Sequence, residues 1–135
     1  MRRDIYIAGS YNAGAINSQA CYWKNGIRTD LSIPTGATSS YVDTMLVSGC
    51  DVYSSGCYCD GTNDNACYWK NGVRIDLHPA GATSSYAGAI VVSGSDVYIS
   101  GAYYDTADYK ACYWKNGVRI DLHPAGAASS YAAGI

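Results

Sequence analysis

Six cysteines, two histidines and one oxygen-rich loop are the residues of this chain whose types and spacing could do chemistry. Cys57 and Cys59 stand two apart, so on a strand both turn to one face, and Cys67 follows across a predicted hairpin as a third thiol. The three are weak candidates for a metal site or one disulfide, because Cys-x-Cys is not the usual zinc-knuckle spacing. Cys21, Cys67 and Cys112 each precede Tyr-Trp, where a buried Cys is expected to act as a small apolar filler. His78 and His123 each open a His-Pro-Ala-Gly loop, with Ser32 at that place in an earlier copy. They could line a ring opening and meet a ligand, although a solvated loop histidine is the plainer expectation. No Ser or acid recurs beside them, so a triad has no visible members. Residues 60–65, Asp-Gly-Thr-Asn-Asp-Asn, lack the spacing and closing Glu of a calcium loop and read as a turn.

Aromatic residues are the other candidates. The chain holds 14 Tyr and three Trp, with no Phe. Six tyrosines and the tryptophans Trp23, Trp69 and Trp114 fall at repeated strand positions, where packing between units would use them. Tyr58, Tyr103, Tyr104 and Tyr109 are not shared in this way and are candidates for a binding surface. No phosphate loop, dinucleotide fingerprint or His-Glu-x-x-His is present. Asp30, Asp76 and Asp121 lie two residues from an Arg on a strand and are expected to pair with it. The reading is therefore no catalytic residue, no cofactor and no enzyme, with a hydrolase or lyase as the weakest alternative.

Composition sets the frame for these residues. The 135 residues are 48% apolar, only 15% charged, and carry a formal charge of −2. This is not the low-hydropathy, high-charge pattern of a disordered chain, and it lacks the basic stripe of a nucleic-acid binder. No apolar run approaches the roughly 20 residues of a membrane-spanning helix. Met1, Arg2, Arg3 and Asp4 lead into no signal-peptide core. A cytoplasmic chain with reduced thiols is the expectation, with no nucleic-acid or membrane partner.

The elements that must position these side chains follow from a repeat. Residues 66–87 read ACYWKNGVRIDLHPAGATSSYA and recur 45 residues later with one change, Thr83 becoming Ala128. A looser copy spans residues 20–42. The units run approximately 4–50, 51–95 and 96–135, in one repeat domain. Each predicts four short strands, in the third unit near 89–93, 97–104, 111–114 and 118–122. Asn25-Gly26, Asn71-Gly72 and Asn116-Gly117 predict two-residue type I′ hairpins, because both central residues need positive φ. Only the last strand alternates strictly, with Val73, Ile75 and Leu77 on one face and Arg74 and Asp76 on the other. Charges there suit an exposed edge. The fold class is all-β, and the unit has the anatomy of a propeller blade, with a β-trefoil or β-prism as the alternative.

The strings Ala-Cys-Tyr-Trp-Lys-Asn-Gly and Ser-Gly-Ser-Asp-Val-Tyr-Ile-Ser-Gly resemble the repeat of bacterial β-propellers of the WD40-like or kelch-like kind. The resemblance implies a fold and no particular activity. Closed propellers need about four to eight blades, so three per chain predict closure by self-association. Asp4 aligns with Asp51 and Asp96, which places the chain start at the second strand of a blade, with Met1, Arg2 and Arg3 opposite Ser48, Gly49 and Cys50. Residues 129–135 align with residues 84–90. The expectation is donation in trans: Ala132, Ala133, Gly134 and Ile135 of one copy complete the blade begun by Ile5, Tyr6 and Ile7 of another. Two copies would close six blades, and three would close nine. The function expected is thus a structural, self-assembling propeller fragment. The alternative is a lectin-like propeller that binds a small glycan or a protein.

Overall fold

The computed structural model describes residues 3–135. It is all-β, with eleven strands in three antiparallel sheets. The first sheet is a three-stranded meander of β1 (Tyr6–Tyr11), β2 (Gln19–Lys24) and β3 (Ile27–Asp30). The second runs in the order β4 (Ser39–Ser48), β5 (Asp51–Cys59), β6 (Asp64–Lys70) and β7 (Val73–Asp76). The third repeats it with β8 (Ser84–Ser93), β9 (Asp96–Tyr104), β10 (Tyr109–Lys115) and β11 (Val118–Asp121). Four strands per unit thus hold for two sheets. Met1 and Arg2 lie outside the described residues, and with them their alignment to Ser48 and Gly49. Among the described residues no helix is long and apolar enough to cross a membrane.

Hairpin chemistry forms as expected. Asn25, Asn71 and Asn116 have φ of 50°, 52° and 51°, and the glycines after them 82°, 84° and 83°. Each Asn does a second job. Asn71 Oδ1 accepts from Val52 N at 2.8 Å and its Nδ2 donates to Asp51 at 2.9 Å. Asn25 and Asn116 make the same two bonds, to Ile5 and Asp4 and to Val97 and Asp96. The turn joining the third and fourth strands of each unit is thereby clasped to the start of the second. The Arg–Asp pairs also form within their strands, at 3.0 Å for Arg28–Asp30, 2.7 Å for Arg74–Asp76 and 2.8 Å for Arg119–Asp121.

The edge strands β4 and β8 run longer than the β-branched residues alone suggest, and both are bulged, near Asp43 and near Gly88. Beside each bulge the neighbouring strand must be glycine. A Cβ on Gly56 would lie 1.9 Å from the Tyr41 carbonyl oxygen, and one on Gly101 would lie 2.1 Å from that of Tyr86. Such contacts cannot be accommodated without moving backbone.

Two apolar layers hold the sheets together. The first sheet lays Tyr6, Ala8, Ala20, Tyr22 and Leu31 against Val52, Cys67 and Trp69 of the second. The second sheet's other face, with Tyr53, Ala66, Tyr68 and Leu77, packs on Val97, Ile99, Tyr103, Cys112 and Trp114 of the third. These are the same two faces used twice, because the repeat carries the same residue types to the same register. On the fourth strand Val73 is 65% exposed, in keeping with an edge strand. Leu77, one residue past the strand, is buried.

Candidate functional site

The histidines are not solvated. His78 is half-buried, its Nδ1 2.6 Å from Ser85 Oγ and its Nε2 3.0 Å from the Ala82 carbonyl. A carbonyl only accepts, so Nε2 carries a proton, and in the neutral ring Nδ1 accepts from the serine hydroxyl. Ser85 Oγ in turn accepts from Ala66 N at 2.8 Å. His123 repeats every bond with Ser130, Ala127 and Ala111. Both imidazoles are therefore saturated, His78 by the connection between the second and third sheets and His123 by the segment that follows β11. In the first unit Ser32 takes a different part, its carbonyl accepting from Trp69 Nε1 at 2.7 Å and its Oγ from Arg74 N at 3.0 Å.

The cysteine set also disperses. Cys67 lies opposite Gly56 in the ladder and Cys57 opposite Ala66, so the pleat sends Cys67 to the face away from Cys57 and Cys59. Among the described residues no three His, Cys, Asp or Glu side chains are placed to hold a metal. All six thiols are free. Burial pushes the Cys57 and Cys112 thiols up to about 12 and raises that of Cys67 as well. Thiols held protonated in this way are poor nucleophiles and poor ligands. The oxygen-rich loop is a turn: Asp60 Oδ1 accepts from the Thr62 and Asn63 amides, both at 2.9 Å.

The four unshared tyrosines divide. Arg74 stands over the Tyr58 ring at 5.3 Å, and Arg119 over the largely buried Tyr103 ring at 4.5 Å. Arg28 and Tyr11 make the matching pair at 4.4 Å, so these tyrosines are shared after all and belong to the scaffold. Tyr104 and Tyr109 stack with centroids 4.9 Å apart, and Tyr109 continues to Tyr131 at 5.5 Å and Tyr86 at 6.2 Å. Tyr86, Tyr109 and Tyr131 line a cleft of about 450 Å³ with Asp43, the bulge at Gly88 and the small residues Gly101 and Ala102. Sequence reasoning missed Tyr86 and Tyr131; the available signal was the Ser-Ser-Tyr string that they share with Tyr41 in all three units.

A second cleft of about 400 Å³ lies on the outer face of the third sheet, between Tyr98, Ser100, Tyr113 and Leu122 and the segment containing Ala132, Gly134 and Ile135. That segment forms no strand within its own chain. At the opposite end of the molecule Ile5 and Ile7 are 64% and 57% exposed. Ile5 and Ile7 thus lie on one outward face and Ala132, Gly134 and Ile135 against another, whereas Tyr6 turns inward onto the second sheet. No family model, curated protein or solved structure matches the chain.

Proposed function

We propose that the chain is a structural, self-assembling β-propeller fragment, its three sheets serving as blades and its two end faces closing on further copies of itself. One observation carries this reading: each end face repeats a face that is buried inside the molecule. Leu31 and Leu77 are 1% and 4% exposed, whereas Leu122, their equivalent on the third sheet, is 48% exposed. Val52 and Val97 are buried, whereas Ile5 is open, and Trp23 is half-exposed where Trp69 and Trp114 are sealed. The outer face of the third sheet therefore has the chemistry that the first sheet's outer face is built to meet. Exposed apolar faces of this kind are uncommon on monomers and favour association.

Three separate meander sheets, stacked face on face, support the blade over the trefoil or prism, which weave hairpins from several units together. Gly9 supports donation of an inner strand. It is equivalent to Gly56 and Gly101, yet a Cβ there meets only the Trp23 ring at 3.1 Å and no carbonyl. The repeat register would set Ala132 of another copy opposite Gly9 and Ile135 opposite Ile7, as Ala87 and Ile90 stand opposite Gly101 and Ile99. Saturated histidines and protonated thiols favour a structural over a catalytic role.

Sedimentation at several concentrations tests the assembly. The expected result is the mass of two chains, giving six blades, with three chains and nine blades as the other closed form. A folded species of one chain's mass at high concentration overturns the reading. Gly9→Ala is the sharper arm, because it should abolish association while leaving the single chain folded.

A further inference from the structure

We propose that the tyrosine cleft between the second and third sheets binds an organic cation of the alkylated-ammonium class. Its rings and its carboxylate all come from one chain, and Ala132 at its edge begins the segment proposed above to pair with another copy. Tyr86, Tyr109 and Tyr131 present three rings to a cleft of about 450 Å³, within the size range of small-molecule sites. A ring face carries negative charge density and attracts a cation placed over it. Asp43 adds a full negative charge to the same wall, held by Thr44 Oγ1 at 3.2 Å. Among the described residues no Lys or Arg side chain lines the cleft. The adjoining hollow of about 140 Å³, which shares Asp43, Tyr86 and Ala87, also lacks a basic side chain.

The Asp64 carboxylate adds negative charge near the Tyr86 phenol. Burial first, then the Asp64 carboxylate and Tyr109, push that phenol up to about 12, so it stays neutral. A sugar fits this lining less well. Saccharide hydroxyls need several convergent donors and acceptors, whereas the polar side chains here are one carboxylate and the tyrosine hydroxyls. Charge without hydrogen-bond variety selects a soft cation with apolar substituents. The equivalent place at the first junction, beside Tyr41 and Tyr86, has Asp64 where Tyr109 stands, so the three-ring arrangement occurs once among the described residues. The order of the wall is also secured. Ser130, just before Tyr131, donates its amide to the Tyr109 carbonyl at 2.9 Å and accepts from Ala111 N at 2.8 Å.

Calorimetric titration of the full chain with choline tests this, against its uncharged isostere 3,3-dimethylbutan-1-ol and against a methyl glycoside. The expected result is saturable choline binding, with the neutral isostere at least about tenfold weaker. Tyr131→Ala and Asp43→Asn should each weaken choline by about tenfold; both side chains are exposed, so the variants fold. Tyr11→Phe, far from the cleft, should leave choline unchanged. Equal binding of the isostere, preferential binding of the glycoside, no choline binding, or choline binding that survives both substitutions overturns the proposal.

Discussion

Trp23 and Trp69 occupy the same place in two copies of one repeat, and their surroundings could hardly differ more. Trp69 is fully buried and donates to the Ser32 carbonyl, while Trp23 lies half-exposed on the outward face of the first sheet. The difference is not in the local sequence, since both sit in Ala-Cys-Tyr-Trp-Lys-Asn-Gly strings on the third strand of their unit. It lies in whether another sheet stands in front. The comparison teaches that the repeat encodes faces, and that burial is conferred by a neighbour rather than by the unit itself.

The contrast can be broken most strongly at these residues. Trp69→Ala should cost about 4 kcal/mol in urea unfolding, the range for emptying a large aromatic site, whereas Trp23→Ala measured on the single chain should cost less than half of that. Next come the glycines. Gly101→Ala should lose about 3 kcal/mol through the Tyr86 carbonyl and the Trp114 ring, while Gly9→Ala should cost under about 1 kcal/mol in the unassociated chain. Leu77→Ala against Leu122→Ala should give about 3 kcal/mol against under about 1 by the same measurement. If Trp23, Gly9 and Leu122 instead proved as costly as their buried equivalents in the unassociated chain, the difference between ends and interior would fail.

A smaller effect has the opposite sign. Ser54 Oγ is buried without a hydrogen-bond partner among the described residues, at the position held by Ile99 in the next unit. Ser54→Ala removes a desolvated hydroxyl and should raise the unfolding free energy by up to about 1 kcal/mol. The smallest effect is electrostatic. Lys110, 2.6 Å from Asp105, and then the Asp108 amide hold the Asp105 carboxyl down at about 2. A depressed carboxyl stabilises the fold at pH above its ordinary value near 4, and that contribution fades as pH falls toward 2. Because the pair is exposed, Lys110→Met should shift the thermal midpoint only slightly at pH 6 and not at all below pH 2.

Much of the scaffold was legible beforehand because it rests on local rules. Asn-Gly at Asn71 and Gly72 demands positive φ whatever surrounds it, and the 45-residue offset multiplies one hairpin into three. Cys21, Cys67 and Cys112 proved fully buried, as their place beside Tyr-Trp suggested. Longer-range features were not legible. His78 gives no hint in its loop sequence that Ser85 and Ala82 return to meet it. Tyr86 and Tyr131 carry no mark of the cleft in their Ser-Ser-Tyr strings, because Tyr109, which meets both rings, comes from a separate strand. The cysteine trio failed on parity alone: a shift of one residue in the ladder separates faces that spacing had joined.

The serine links between sheets carry a consequence for motion. Ser40 and Ser85 are fully buried and accept from the amides of Ala20 and Ala66, so neither sheet can swing from the next without opening a sealed bond. Ser130 makes the same bond to Ala111 at a half-buried site. Amide hydrogens at Ala20 and Ala66 should therefore exchange with solvent only in rare, large openings, and that of Ala111 in frequent, local ones. The molecule is stiff through its middle and breathes at one end, and the slowing of Ala111 exchange would time the arrival of whatever settles there.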